Sequence, residues 1–183
     1  MGEHAERFDR IAGAFTDRVE AVPPDRWEAP APCEGWVARD VVRHLVEWVP
    51  GFFQVFAGRS LTPGHSVDDD PLGAWTSLRD QLAGWLADPV IATEEIDTPP
   101  GRMPIEAAID RFVTGDVLIH TWDLARATGL DERLDPEAVH SMYEGVLPMD
   151  EVLRQSGHYG PKVEVSEDAD EQAKLLAFVG RQP

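Results

Sequence analysis

The sequence predicts an all-α fold, a helix bundle of four main helices with short accessory helices and loops. Apolar residues recur three or four positions apart over several long segments, which is the period of an amphipathic helix. Pro, Gly and Asp punctuate the ends of these segments, and strand patterns are sparse. With 183 residues and no internal repeat or linker, the chain is expected to form a single domain over residues 1–183.

The first helix is expected over about residues 3–22, where Pro23 and Pro24 stop it. Residues 25–36 are rich in proline and hold two tryptophans, so they are expected to form an ordered loop packed on the bundle. The apolar stripe of the first helix contains Phe8, Ile11, Ala12, Phe15, Val19 and Val22.

The second helix is expected to begin near Val37 and to be kinked or broken at Pro50 and Gly51. His44 lies within its apolar stripe, which contains Val41, Leu45, Trp48, Phe52 and Phe56.

A third helix is expected to follow the loop of residues 58–70, because Asp70 and Pro71 form a good cap and first-turn pair. After Pro89 the chain is expected to be irregular or to make a short extended excursion. The buried side of the third helix is expected to hold Leu72, Trp75, Leu78, Leu82, Trp85 and Leu86.

A fourth helix is expected from Pro104 to Gly129, with Gly129 as the left-handed residue that follows its end. A fifth helix is expected to start at Asp135 and Pro136, to run toward Gly157 and to be interrupted near Pro148, and a last short one to cover residues 169–179. The apolar stripe of the fourth helix contains Ile105, Ile109, Phe112, Val113, Leu124 and Ala127.

Charge and cysteine content limit the classes of partner and compartment. Lys and Arg total 16 against 34 for Asp and Glu, a net charge of −18, so nucleic acid and anionic lipid are not expected as partners. Cys33 is the only cysteine, which excludes an intramolecular disulfide or a Cys-based zinc motif and favours a reducing, cytoplasmic compartment. No secretory signal or transmembrane segment is predicted.

Asp116 and His120 are four residues apart on the fourth helix, so both side chains are expected on one face, within reach of one ion. Burying a carboxylate and an imidazole in an apolar stripe is costly unless something pairs them, and a divalent metal would do so. His44 offers a third ligand, and three mixed ligands leave a position for water or substrate. The alternatives are a plain hydrogen-bonded Asp/His pair and a core histidine, both common.

Three runs carry a family resemblance: WEAPAPCEGWVARDVVRHLVEW at 27–48, GDVLIHTWDLARATG at 115–129 and HYGPKVEVSEDADEQAKLLAFVGR at 158–181. They resemble short single-domain members of the mycothiol-dependent maleylpyruvate isomerase N-terminal domain group, within the DinB/YfiT-like metal-binding superfamily. The resemblance implies an up-and-down four-helix bundle with a divalent metal at one end of a cleft. His44, Asp116 and His120 match the family's metal ligands.

The resemblance also sets expectations for the chemistry. Zinc is the expected ion, with nickel or iron as alternatives, and Asp116 stands where many relatives have a third histidine or a glutamate of longer reach. The chain lacks the second domain of the maleylpyruvate isomerases, so isomerase activity is not carried over. In such relatives the metal is thought to lower the pKa of a bound thiol or water, which implies thiol transfer or hydrolysis, with mycothiol as an inferred cosubstrate.

The aromatic residues beside the predicted ligands have two interpretations. Trp48, Phe52 and Trp122 could line a substrate cleft, although aromatic residues at helical spacing more often belong to the core.

Three further expectations concern polar residues and Cys33. Asp123 and Arg126 are expected to pair with each other or with a loop, in preference to a contact between Asp123 and a ligand histidine. Cys33 is interpreted as structural, since no basic residue adjoins it in sequence. His4, His65, His140 and His158 are expected on the surface or in loops.

Three functional hypotheses follow from these residues. The first is a metal-dependent thiol transferase or hydrolase acting on a small molecule in a cleft over the metal. The second is a non-catalytic metal-binding, ligand-binding or stress-response protein, and the third treats Asp116 and His120 as a buried structural pair. A homodimer is expected.

Overall fold

The computed structural model describes residues 2–62, 64–156 and 160–183. Four long helical segments form its main body, and they confirm the predicted all-α class. Their bounds are α1 at Glu3–Ala21, α2 at Ala38–Phe56, α3 at Pro71–Ala87 and a composite fourth segment at 105–128.

The loop between α1 and α2 is ordered, as predicted. It begins with a 3₁₀ turn at Pro24–Arg26, and an isolated antiparallel bridge joins Pro30 to Val37. The backbone N–H groups of Ala38 and Arg39 donate to the carbonyl oxygens of Ala29 and Trp27 at 2.9 and 3.0 Å, so the loop folds back on the start of α2.

Helix α2 continues through Pro50. Of the two predicted outcomes, the break is wrong and the kink stays a prediction. Pro50 removes one backbone donor from the helix, which normally weakens it. Val49 and Phe53 on either side of it are fully buried. We attribute the continuity of α2 to this packing, which stabilises the turn that lacks a backbone hydrogen bond.

Helix α3 begins where its cap predicts, since Asp70 accepts a hydrogen bond from the backbone of Gly73 at 2.8 Å. The excursion after Pro89 contains a one-turn helix, α4 at Pro89–Ala92, and then a hairpin of β1 at Glu95–Thr98 with β2 at Gly101–Pro104. The two strands are antiparallel, with Glu95 opposite Pro104 and Thr98 opposite Gly101.

The fourth segment is one continuous helix with a wider turn inside it, which the sequence did not predict. It comprises α5 at Ile105–Ala108, a π-helical turn at Ile109–Thr114 and α6 at Gly115–Thr128. Gly129 ends it in the left-handed conformation, with a φ of 77°, as predicted. Glycine is favoured there because it has no Cβ to clash with the following backbone.

The C-terminal part contributes three more helices. They are α7 at Pro136–Val146, α8 at Asp150–Ser156 and α9 at Glu171–Phe178, with a 3₁₀ turn at Leu147–Met149 where the interruption near Pro148 was predicted. The predicted end of the fifth helix at Gly157, and His158, lie outside the described residues.

The main helices pack so that α1 and α2 each contact both α3 and α6, while α7 packs on α9. Helices α1 and α2, though consecutive in the chain, are not major packing neighbours in this arrangement. Almost every residue of α6 is buried, because α1, α2 and α7 all pack against it. The up-and-down order and the single-domain assignment remain predictions.

Within the described residues, no helix has both the length and the apolar character required to cross a bilayer.

Candidate metal centre

The three predicted ligands converge between α2 and α6. The Nε2 atom of His44 lies 3.1 Å from Oδ2 of Asp116, and Nε2 of His120 lies 3.5 Å from Oδ1 of the same carboxylate. One nitrogen or oxygen atom from each residue lies within 4.8 Å of the others. The exposed fraction of the side chain is 4% for His120, 28% for Asp116 and 31% for His44. Solvent can therefore reach the group on one side.

Aromatic rings surround this group. Trp36, from the loop before α2, stacks on His120 with ring centroids 5.8 Å apart and an interplanar angle of 20°, and its centroid lies 5.1 Å from that of His44. The indole N–H of Trp48 donates to Oδ2 of Asp116 at 2.9 Å. The rings restrict the rotamers of both histidines and of the carboxylate.

A second set of contacts, centred on the fully buried Asp123, lies behind His120. Its Nδ1 atom is 2.9 Å from Oδ2 of Asp123, whose side chain is completely inaccessible. Arg181 binds Asp123 with two nitrogens, Nε to Oδ1 at 3.2 Å and Nη2 to Oδ2 at 2.8 Å. The thiol of Cys33 also reaches Oδ2, at 3.5 Å.

These contacts set the charges of the site. Burial alone would raise the pKa of Asp116, but the nearby His120 and the hydrogen bond from His44 outweigh it and lower that pKa. Burial alone would lower the pKa of His120, yet Asp116 and Asp123 raise it. For Asp123 the cost of burial is again outweighed, here by His120 and Arg181, and its pKa falls to about 2.

The prediction that Asp123 pairs with Arg126 or with a loop, in preference to a ligand histidine, is wrong. Asp123 contacts the predicted ligand His120. Arg126 pairs with Glu132 of the following loop at 2.7 Å, so the loop contact predicted for Arg126 is confirmed. The local spacing favoured an Asp123/Arg126 pair because the two are three residues apart. The partner that decided the outcome, Arg181, lies 58 residues further along the chain, and no local pattern could have identified it.

Cys33 also has a basic neighbour that the local sequence does not show, since Nη2 of Arg181 lies 3.3 Å from its sulfur. Burial and the adjacent Asp123 nevertheless raise the pKa of the thiol to about 12. The thiol is therefore protonated at neutral pH and is a poor nucleophile.

The predicted substrate-binding residues differ in exposure. Trp48 and Phe52 are half-buried, and their rings meet edge to face with centroids 5.9 Å apart. Phe52 also contacts Phe112, from the π-helical turn, with ring centroids 5.1 Å apart. Trp122 is only 1% exposed and is covered by Arg126, whose guanidinium lies 4.6 Å from the ring centroid. Substrate binding by these three residues remains a prediction.

Among the described residues, a second group with ligand atoms equally close is Cys33, His120 and Asp123. Asp123 already accepts two hydrogen bonds from Arg181, and the thiol is protonated, so this group is less suited to a cation than the first.

Comparison with known proteins identifies the family of the chain. The family described as "Mycothiol maleylpyruvate isomerase N-terminal domain" matches residues 8–125, which is more than half of the chain and includes all three predicted ligands. The chain belongs to this family. The family is part of the DinB/YfiT-like superfamily, so the resemblance stated from the sequence is confirmed.

Relatives of the mycothiol maleylpyruvate isomerase N-terminal domain family are found in Mycobacterium tuberculosis. Two proteins, from strain CDC 1551 / Oshkosh and strain ATCC 25618 / H37Rv, are each 32% identical over 130 residues, covering 70% of this chain and 69% of the relative. Both are described as uncharacterized. No solved structure shows a significant match.

The family match ends at residue 125. It therefore includes Asp123 but not Arg181.

Proposed function

We propose that this protein is a divalent-metal-dependent enzyme that transfers a low-molecular-weight thiol, such as mycothiol, to a small electrophilic molecule, or hydrolyses a small substrate. One observation supports it above the others: His44, Asp116 and His120 converge from two helices in a family described by its relation to mycothiol. The ion is zinc in this proposal, with nickel or iron as alternatives, because nitrogen and oxygen donors do not choose among them.

The donor set is compatible with one ion. An ion with four ligands at about 2.0–2.1 Å places neighbouring donor atoms about 3.3 Å apart. The separations of 3.1 and 3.5 Å between the imidazole nitrogens and the Asp116 carboxylate are close to that value. His120 has its other ring nitrogen on Asp123, the arrangement in which histidine ligands are commonly held.

The metal ligands and the aromatic residues around them would have separate roles. A bound metal would supply a Lewis acid that lowers the pKa of a coordinated thiol or water. His44, Asp116 and His120 would hold the ion, and Trp48 would keep the carboxylate oriented through its hydrogen bond to Oδ2. Trp36, Trp48 and Phe52 would limit the access of water and provide apolar surface for a substrate.

Metal analysis is the first test. Purified protein is expected to contain near one equivalent of divalent metal, and His44→Ala and His120→Ala are each expected to lose it. His140→Ala is the matched control, because His140 is exposed and pairs with Glu171 away from the site. Full retention of metal in both site variants would end the proposal.

A thiol-transfer assay is the second test. Mycothiol and a panel of electrophiles would be supplied to the metal-loaded protein, and the loss of free thiol would be followed. Turnover that disappears in both site variants but persists in the control supports an enzyme. Bound metal with neither thiol transfer nor hydrolysis would favour a non-catalytic metal-binding or stress-response protein.

Compartment and assembly belong to the same proposal. A cytoplasmic location is supported by the presence of a single cysteine, and a homodimer is expected, which light scattering would test directly.

A further inference from the structure

Arg181, in the C-terminal segment, contacts the residues behind the candidate metal centre. Arg181 is the third residue from the end of the chain, yet only 15% of its side chain is exposed. Both of its contacts with Asp123 are charge-assisted, and two parallel hydrogen bonds fix direction as well as distance. Asp123 in turn touches Nδ1 of His120.

The backbone conformation at the end of α9 places the Arg181 side chain next to Asp123. After α9 the N–H of Gly180 donates to Ala177 at 3.1 Å and that of Arg181 donates to Leu176 at 2.8 Å, a helix-ending pattern that depends on a left-handed residue. Gly180 supplies it with a φ of 88°, and a Cβ there would lie 3.1 Å from the backbone of Gly160.

We propose that Arg181 is a positioning residue for the metal centre: by clamping Asp123 it holds the hydrogen of His120 on Nδ1 and leaves Nε2 directed at the metal position. This inference rests on the proposed function for its consequence, which is metal affinity. The clamp itself is a property of the metal-free protein.

The two-point contact between Arg181 and Asp123 is what fixes the orientation of the carboxylate. Without Arg181, the Asp123 carboxylate would keep only His120 and the long contact with the Cys33 thiol. The two-point contact that fixes its orientation would be lost, and with it the contact that fixes the tautomer of the imidazole. A lysine at position 181 would keep the charge but would lose the two-point contact.

Two measurements on the same variants test this. In metal-free protein at alkaline pH, ¹⁵N chemical shifts of the imidazole report which nitrogen of His120 carries the hydrogen, with His120→Ala to assign the signals. Zinc affinity is measured separately by competition with a chelator. The variants are Arg181→Gln and Arg181→Lys, with Arg126→Gln as the matched control, since Arg126 pairs with Glu132 instead.

Arg181→Gln is expected to mix the two tautomers of His120 and to weaken zinc binding by about 10-fold to 100-fold, with Arg181→Lys between it and the parent. The control is expected to change neither. If Arg181→Gln does not fold, Arg181→Lys decides by the same two readouts. An unchanged Nδ1–H tautomer in the folded variants overturns the proposal, even if zinc affinity falls.

The two proposals can fail independently. If the parent protein binds no divalent metal, the proposed function fails, while the tautomer measurement still decides whether Arg181 positions His120.

Discussion

Removing Asp123 is expected to destabilise the metal-free protein strongly, because it leaves the guanidinium of Arg181 without its counter-ion. Asp123 is fully buried, and its carboxylate receives two hydrogen bonds from Arg181 and contacts His120. Breaking a buried pair by removing one member costs about 3–5 kcal/mol. We expect a loss of that size in Asp123→Ala.

The measurement is urea unfolding with a chelator present, so that no metal contributes. With a slope of about 2 kcal/mol per molar urea, a loss of 3–5 kcal/mol lowers the midpoint by roughly 1.5–2.5 M. A double-mutant cycle with Arg181→Met then isolates the pair. The double variant is expected to lose about 1–3 kcal/mol less than the sum of the two single losses.

Two results would refute this reasoning. One is a loss below about 1 kcal/mol in Asp123→Ala, which would mean that the arginine finds water or another partner at little cost. The other is an additive double variant, which would show that the two side chains do not stabilise each other in solution.

Three further predictions concern other parts of the molecule. Phe53→Ala should lower the free energy of unfolding by about 3–5 kcal/mol, since Phe53 is fully buried, and chemical denaturation would measure it. Trp48→Phe should weaken zinc binding by about 10-fold without unfolding the protein, because the donor to Asp116 is lost, and chelator competition would measure it. The hydrogen bond with Glu171 raises the pKa of His140, so the stability that His140 contributes should be full below its unfolded-state pKa of about 6.5 and be lost as pH rises through its folded-state pKa. Unfolding of parent and His140→Gln over that range should therefore converge at alkaline pH.

Each of these predictions has a contradicting outcome. An unchanged unfolding free energy in Phe53→Ala would show that this position is not well packed in solution. Zinc affinity equal to that of the parent in Trp48→Phe would mean that the indole does not hold Asp116. A difference between parent and His140→Gln that grows with pH would mean that the sign of the His140 contribution is wrong.

Much of the fold follows from local patterns in the sequence. The apolar stripe and the prolines at 23 and 24 placed α1 almost to the residue, and Asp70 with Pro71 placed the start of α3. Local signals determine such boundaries because capping and first-turn geometry involve only neighbouring residues.

The errors arose where tertiary packing overrides a local preference. Pro50 does not break α2, because the residues beside it are buried. Ile109, Phe112 and Val113 of the π-helical turn also fit the α-helical period, so the sequence does not predict the wider turn.

The candidate site also contains residues that local patterns identify and residues that they do not. Asp116 and His120 could be chosen from their spacing, and His44 from its place in an apolar stripe together with the family resemblance. The contacts behind His120 could not, because Cys33, Asp123 and Arg181 come from three distant parts of the chain and are brought together only by the fold.

The π-helical turn has a consequence for chain length. A π turn can be regarded as an α-helix that has taken in one additional residue, and each residue of an α-helix advances the direction of its side chains by about 100°. Deleting one residue between 109 and 114 would allow an ordinary α-helical ladder to form while α6 keeps the face that carries Asp116 toward α2. Deleting one residue between 116 and 120 would instead turn His120 by about 100° relative to Asp116. Two deletions of equal size, only a few positions apart, would thus have opposite effects on the centre.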